Sequence, residues 1–208
     1  MIRIIGKLPD KLIVACSGGQ DSMAALDFLK NGRREISAAY FNHGTSHSKD
    51  AEYIVVDYCR LREIPCVIGN ISREKYNHES PEEYWRNERY KFFETLDYPI
   101  ITAHHLDDVV EWWIFSSIHG NPRLIPYQNG KIIRPFLMTP KSEFTSWCER
   151  KNVPYIHDSS NKNVRFSRNR IRHNIIPEIE KINPGIRKNI KKLVESNFNM
   201  NKMKESIL

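Results

Sequence analysis

The fold of this 208-residue chain is decided by one short stretch, KLIVACSGGQDS, which runs from Lys11 to Ser22. Its first half is an apolar run with the length of a buried strand. A Ser-Gly-Gly-x-Asp-Ser turn follows directly and opens a helix that Asn31-Gly32 ends. In a turn from strand to helix, free backbone N–H groups and the helix dipole favour an anion. The stretch therefore predicts an anion site at the carboxyl end of a buried strand.

Strand and helix patterns alternate along the rest of the chain. The predicted strands are Lys11–Cys16, Ile36–Phe41, Pro65–Ile68, Pro99–Ala103 and Lys131–Arg134, and the predicted helices cover residues 21–30, 50–61, 81–96, 107–118 and 141–151. This alternation is typical of an α/β protein with a doubly wound parallel sheet. Because ligands of such sheets bind beyond the carboxyl ends of the strands, we expect the functional site there.

The positive charge of the chain is concentrated near its end. The formal net charge is +7, and residues 1–164 hold 21 Lys/Arg and 21 Asp/Glu, whereas residues 165–208 hold 11 and 4. We therefore divide the chain into a catalytic domain of residues 1–160 and a basic extension of residues 161–208, whose two helices break at Asn183-Pro184-Gly185. A basic segment on a neutral body favours a nucleic-acid partner, and a solvated lysine-rich helix is the alternative.

Other features of the composition exclude whole classes of protein. Hydrophobic residues make up 40% of the chain and charged residues 27%, which is the balance of a globular protein. No run of about 18 apolar residues occurs, so we expect no membrane span, and the first residues lack the layout of a signal peptide. The four cysteines form no CxxC pair, which argues against a disulfide framework or a zinc ribbon. We expect a cytoplasmic protein.

The strand-to-helix turn has the chemistry of a phosphate loop. Its six residues are Ser17, Gly18, Gly19, Gln20, Asp21 and Ser22. The glycines allow close approach of the backbone to phosphate, the serine hydroxyls can donate hydrogen bonds, and Asp21 can hold a hydrated Mg²⁺. The GK[ST] ending of a Walker A loop is absent. The string SGGxDS resembles the signature of the PP-loop ATP pyrophosphatases, which cleave ATP to AMP and pyrophosphate while adenylating a substrate.

Further motifs narrow the resemblance. They are Asn42-His43-Gly44; Ser80-Pro81-Glu82-Glu83 with Arg86, Arg89 and Tyr90; Thr102-Ala103-His104-His105-Leu106-Asp107-Asp108 with Glu111; Arg134-Pro135; and Asp158-Ser159-Ser160-Asn161 with Arg168-Asn169-Arg170-Ile171-Arg172-His173. In this order, they resemble the bacterial tRNA(Ile)-lysidine synthases. The resemblance implies that ATP adenylates the C2 oxygen of the wobble cytidine of tRNA(Ile) with a CAU anticodon. The ε-amine of free L-lysine then displaces AMP.

The resemblance also implies roles for three acidic residues. Asp108 and Glu111, three apart on one helical face, would bind the lysine ammonium, and one of them would accept its proton. Glu83 would help to hold lysine. The alternatives are acids that suit the helix dipole for Asp108 and Glu111, and a capping-box residue for Glu83.

The remaining predicted site residues are basic or polar. Asn42, His43 and His104 follow predicted strands, and we expect them beside the ATP. The candidates for phosphate contacts are Arg86, Arg89, Arg168, Arg170 and Arg172. Arg168 and Arg172 lie four apart, so on a helix they face one way and can stabilise pyrophosphate or grip RNA; ion pairing with acids is the alternative. The predicted catalytic residues are thus Asp21, Asp108, Glu111 and Arg168.

Three features depart from the lysidine synthase pattern. Many members carry further carboxyl-terminal domains, which we do not expect in this protein, so we expect RNA recognition to rest on residues 165–208, on formation of a homodimer, or on a different RNA. The loop of residues 119–124 reads HGNPRL instead of being glycine-rich, and Val109 replaces a polar residue. Two other interpretations stay open. One is another PP-loop tRNA modifier, such as a 2-thiolation enzyme, and the other is a tRNA-binding homologue without catalysis.

Overall fold

The computed structural model describes residues 1–32, 34–157 and 167–205, with side chains up to residue 200. The strands are β1 Lys11–Cys16, β2 Glu35–Asn42, β3 Cys66–Asn70, β4 Ile100–Ile101, β5 Gln128–Asn129 and β6 Ile132–Ile133. The helices are α1 Gln20–Lys30, α2 Ser48–Leu61, α3 Pro81–Glu94, α4 Leu106–Ile118, α5 Lys141–Lys151, α6 Ser167–Arg170, α7 Ile176–Ile182 and α8 Ile186–Glu205, and a π-helical turn, Ile171–Ile175, joins α6 to α7.

The strands form one six-stranded sheet in the order β3-β2-β1-β4-β6-β5. All neighbours are parallel except β5 and β6, which are antiparallel. The predicted doubly wound parallel sheet is therefore confirmed. The pattern of residues 120–130 is that of a loop, so it does not predict the antiparallel edge. The signal for this edge is Gly130, which begins a two-residue turn, Gly130-Lys131, between Asn129 and Ile132 and adopts a φ of +57°.

Side chains of β1 alternate between two hydrophobic clusters, one on each face of the sheet. Leu12, Val14 and Cys16 pack with side chains of α1, α2 and α5. Ile13 packs on the other face with Phe93 of α3. Successive side chains of β1 thus point to opposite faces, and both faces pack against helices. The strand is therefore buried, and the carboxyl ends of the parallel strands form one edge open to ligands.

The start of α3 matches its sequence signal. Ser80 caps the helix, its hydroxyl accepting a hydrogen bond of 3.1 Å from the backbone N–H of Glu83, and Pro81 occupies the first position. The predicted capping interaction of Ser80 is thus confirmed. The helix ends at Glu94, two residues earlier than predicted.

The basic end of the chain packs against α4. Ile190 and Val194 of α8 and Ile176 of α7 share a buried cluster with Val110 and Ile114 of α4. The predicted break at residues 183–185 is confirmed, since α7 ends at Ile182 and α8 begins at Ile186. The proposed boundary at residue 160, and the motif of residues 158–161, lie outside the described residues. None of the helices in the described ranges has the length and hydrophobicity needed to cross a membrane.

Candidate active site at the carboxyl edge of the sheet

The phosphate loop between β1 and α1 is braced by its own side chains. The Ser22 hydroxyl donates to Gly19 O at 2.9 Å and accepts from the Ser17 N–H at 3.1 Å. Gly18 adopts a φ of +79°, and a Cβ there would lie 3.0 Å from Ala51 Cβ. Gly19 caps α1 without any side-chain cap, which leaves the first N–H groups of the helix available to an anion. The loop therefore has the form that its sequence predicts.

Asp21, in the first turn of α1, has one engaged and one unpaired oxygen. Its Oδ2 lies 3.4 Å from His105 Nε2 and 3.7 Å from Lys141 Nζ. Its Oδ1 is buried, with no hydrogen-bond partner among the described residues. Buried carboxylate oxygens are normally satisfied, so an unpaired one at this position fits a cation ligand. The neighbouring Gln20 has its amide oxygen bonded to Thr145 of α5 at 2.9 Å.

His105 is a capping residue that also contacts the phosphate loop. It precedes α4, and it forms a capping box in which its backbone N–H donates to Asp108 Oδ2 at 3.0 Å. Its Nδ1 lies 3.4 Å from both the backbone N and the Oδ2 of Asp108, so a neutral ring accepts the N–H and a protonated ring donates to the carboxylate. Burial opposes protonation, but Asp108, Asp21 and Asp107 outweigh it and raise the pKa of His105.

The two acids on α4 have different partners. Burial favours the neutral form of Asp108, but the surrounding basic groups, His105 first, outweigh it and lower its pKa. Glu111 is 1% exposed and forms ion pairs with both Arg168 and Arg172, the latter at 2.6 Å. Arg172 also lies 3.5 Å from Asp108. The structure therefore contains the alternative arrangement, in which Arg168 and Arg172 form ion pairs with acids.

A third α4 acid, Asp107, ties the carboxyl-terminal helix to the site. Its Oδ2 accepts from the Lys141 N–H at 2.8 Å, and its Oδ1 pairs with Arg187 of α8. Sequence patterns do not reveal this pair, because the two residues lie 80 positions apart and Arg187 stands in none of the motifs above. Arg170, between the two arginines that reach Glu111, is exposed.

The polar residues after β2 and β4 lie at the same edge of the sheet. Asn42 donates from its side chain to Glu52 at 2.7 Å and borders a cavity of about 330 Å³ between the ends of β2 and β3. Burial, reinforced by Arg89, lowers the pKa of His43 to about 4. Burial also lowers the pKa of His104 to about 4, and its Nδ1 lies 2.8 Å from the Thr102 hydroxyl. Both imidazoles are neutral near pH 7.

The predicted residues on α3 differ in exposure. Glu83 is exposed, and its carboxylate has no hydrogen bond or ion pair among the described residues. Arg86 is exposed and lies over the Tyr90 ring at 4.6 Å. Arg89 is half-buried, and burial lowers the pKa of its guanidinium. A further arginine, Arg134, is buried just after β6.

Comparison with known proteins identifies the family and the fold of this chain. The PP-loop domain family matches residues 4–179. The chain belongs to the PP-loop family. A solved structure of the NH₃-dependent NAD synthetase from Campylobacter jejuni has a TM-score of 0.51 at 14% identity, covering 92% of this chain and 87% of that one, so the two share a fold.

Curated relatives of this PP-loop protein carry a more specific name. The tRNA(Ile)-lysidine synthase of Clostridium perfringens is 35% identical over 208 residues, which cover 90% of this chain and 44% of that protein. The tRNA(Ile)-lysidine synthase of Bacteroides thetaiotaomicron is 33% identical, covering 97% and 51%. The bifunctional protein TilS/HprT of Listeria innocua is 31% identical, covering 89% and 32%. The chain thus spans between about a third and a half of the length of these relatives.

Proposed function

We propose that this protein is an ATP-dependent tRNA(Ile)-lysidine synthase, a ligase that joins L-lysine to C2 of the wobble cytidine and releases AMP and pyrophosphate. The observation that carries the proposal is the 3.4 Å contact between His105 and Asp21, which joins the phosphate loop to the acidic start of α4. The proposed anion site and the proposed ammonium site thus lie beside each other, with His105 in contact with both. The names of the relatives favour this reaction among those of the family.

In the first step, the C2 oxygen of cytidine attacks the α-phosphorus of ATP, and pyrophosphate leaves. Ser17 and the N–H groups that follow Gly18 and Gly19 hold the phosphates, while Gln20 and Ser22 brace the loop. Asn42, His43 and His104 lie beside the nucleotide. Arg168, oriented by Glu111, neutralises the leaving pyrophosphate.

Asp21 is the residue that would hold Mg²⁺, through its unpaired Oδ1. When bound, Mg²⁺ neutralises charge on the phosphates and on the leaving group. Among the described residues, no three His, Cys, Asp or Glu side chains converge as metal ligands. That suits Mg²⁺, which takes one or two carboxylates and completes its shell with substrate phosphates and water.

In the second step, the ε-amine of lysine attacks C2, loses a proton, and breaks the C2–O bond to AMP. Asp108 and Glu111 attract the ammonium groups of lysine, with Glu83 of α3 as a third acid, and Asp108 or Glu111 accepts the proton. The depressed pKa of Asp108 keeps it ionised for this purpose. The contact of Arg172 to Asp108, at 3.5 Å, is the longer of its two, so a lysine ammonium can take its place.

The tRNA would meet the basic surface of the protein. Arg86, Arg89, Arg170 and Arg172 would contact phosphates, together with the lysines of α8. We place the reaction in the cytoplasm, where tRNA is processed. A 2-thiolation activity is not favoured, because Cys16, Cys59 and Cys148 are buried, and the half-buried Cys66 begins β3 at the edge of the sheet opposite the site.

The test supplies purified protein with ATP, Mg²⁺, radiolabelled lysine and unmodified tRNA(Ile) bearing a CAU anticodon. We expect label at the wobble cytidine, identified by mass spectrometry. Asp21→Asn should abolish pyrophosphate release, whereas Asp108→Asn should retain it and lose lysine transfer. Asp10→Asn, an exposed acid before β1 at the opposite edge of the sheet, is the control. Pyrophosphate release with other RNAs but no label would assign the protein to another reaction of the family.

A further inference from the structure

The phosphate loop contains no basic residue of its own. In a Walker A loop, a lysine near the end of the loop reaches the β- and γ-phosphates, whereas residues 17–22 of this chain read SGGQDS. The backbone N–H groups and the dipole of α1 attract a phosphate. Negative charge that develops on a leaving pyrophosphate is stabilised further by a cation placed beside it. Such a cation has to come from another element of the fold.

Lys141, the first residue of α5, lies beside this loop. Its Nζ is 3.7 Å from Asp21 Oδ2, the oxygen that His105 also contacts at 3.4 Å. Among the described residues, it is the only lysine or arginine within ion-pair distance of Asp21. Arg168, the other cation assigned to pyrophosphate, is paired with Glu111 instead. The beginnings of α1, α4 and α5 thus lie next to one another, with the positive ends of their dipoles together.

The backbone of Lys141 is held in place, whereas its ammonium group is free to turn. Its backbone N–H donates to Asp107 Oδ2 at 2.8 Å, and one turn further along α5 the Thr145 hydroxyl donates to the Gln20 side chain at 2.9 Å. The side chain of Lys141 is 42% exposed, and its contact to Asp21 is too long for a hydrogen bond. None of the three N–H donors of the ammonium has a hydrogen-bond partner among the described residues. Lys141 therefore presents unused donors next to the loop.

We propose that Lys141 binds the β- and γ-phosphates of ATP, in place of the lysine that the loop lacks. When the acceptor oxygen attacks the α-phosphorus, the bond from this phosphorus to the β-phosphate oxygen breaks, and its electron pair leaves with pyrophosphate. The Lys141 ammonium donates hydrogen bonds to the pyrophosphate oxygens and keeps its proton. The inference rests on the proposed function for the use of ATP, and it is independent of the tRNA and of the amino acid.

The test measures the binding of α,β-methylene-ATP and of AMP by calorimetric titration, with Mg²⁺ present and without tRNA. The analogue keeps all three phosphates but is not cleaved next to the α-phosphorus, whereas AMP lacks the β- and γ-phosphates. Lys141→Met should weaken binding of the analogue about 10- to 100-fold, the range of a charge-assisted hydrogen bond, and leave the affinity for AMP unchanged. It should also weaken competition by free pyrophosphate. Lys141→Arg, which keeps the charge, should retain most of the affinity for the analogue.

The matched control is Lys151→Met, at the exposed last position of the same helix, which should keep both affinities. An equal loss for the analogue and for AMP would mean that Lys141 only supports the loop through Asp21. Unchanged affinities would mean that Lys141 is a solvated surface lysine. Each of these results overturns the inference and leaves the proposed function standing.

Failure of the proposed function gives a different result. If the wild type binds neither ATP nor the analogue, the proposed function has failed, and the inference fails with it. Thermal unfolding shows whether Lys141→Met is folded, and Lys141→Gln repeats the test with a polar side chain that also lacks the charge. A loss for the analogue alone in both neutral variants supports the assignment of Lys141 to the β- and γ-phosphates.

Discussion

Arg172 Nη2 lies 2.6 Å from Glu111 Oε2, and this contact joins the π-helical turn near the end of the chain to the second turn of α4. Glu111 is almost fully buried and also pairs with Arg168. The acid expected to hold lysine therefore also orients two arginines. The two roles predict different consequences of removing it.

Glu111→Gln should destabilise the fold. It removes a buried carboxylate from its ion pairs, but the two arginines left behind are partly exposed, so we expect a loss of about 1–3 kcal/mol in the free energy of unfolding. Urea denaturation measures it. The control is Glu178→Gln, since the pair of Glu178 with Lys181 is exposed and should cost about 0–1 kcal/mol. A loss as small as that of the control would mean that Arg168 and Arg172 do not depend on Glu111.

Gly18→Ala should lower both stability and ATP affinity. The substitution combines a positive φ with a Cβ 3.0 Å from Ala51, and the strain should cost about 1–3 kcal/mol and displace the phosphate loop. Gly130→Ala is the matched control, because it also has a positive φ but nothing within 4 Å of its Cβ. Calorimetric unfolding and ATP titration separate the two effects. Similar losses of affinity in both variants would rule out a special role for the close contact.

Most of the fold could be predicted, because the signals are local. The strand Lys11–Cys16 and the glycine turn fix the phosphate loop, and Ser80-Pro81 fixes the start of α3. The two-residue strands β5 and β6 give a weaker signal, since a period of two needs more residues to be visible. Among the site residues, Arg134 stands out in the sequence only as part of the Arg-Pro motif, because burial of an arginine is a tertiary property.

The ion pairs of Arg168 and Arg172 also depend on tertiary structure that the sequence does not reveal. Their spacing predicts that Arg168 and Arg172 face one way, and both reach Glu111. Which acid they meet depends on the packing of α4 against the end of the chain, about 60 residues away in sequence. Likewise, spacing identifies Asp108 near a helix start but not the capping box with His105, since histidine is an uncommon cap.

Stability should fall as the pH is lowered from about 6.5 to about 4, in part through His43. Its folded-state pKa is about 4, below the ordinary value of 6.5, so the unfolded chain binds more protons in this window. Stability therefore rises with pH there, by at most about 3 kcal/mol for this group. His43→Gln should flatten the dependence, and His47→Gln, at an exposed position, should not. Urea denaturation at several pH values measures the slope. Equal slopes in wild type and His43→Gln would show that His43 is not held neutral.

RNA binding should depend on the exposed lysines of α8, and substitution of these lysines tests this more directly than deletion of the helix. Deleting residues 186–208 would remove Ile190 and Val194 from the cluster shared with α4, so any decrease in binding would be confounded with unfolding. Lys188 and Lys192 are exposed, lie four apart and contribute nothing to that cluster. The double variant Lys188→Ala/Lys192→Ala should retain the fold and reduce the slope of log K against log salt by about 2, since each lysine that neutralises an RNA phosphate adds about 1 to that slope. Lys11→Ala, at the opposite edge of the sheet, should leave the slope unchanged. If the double variant keeps the wild-type slope, the basic face of α8 is a solvated surface, and the tRNA is held by the arginines around the candidate active site.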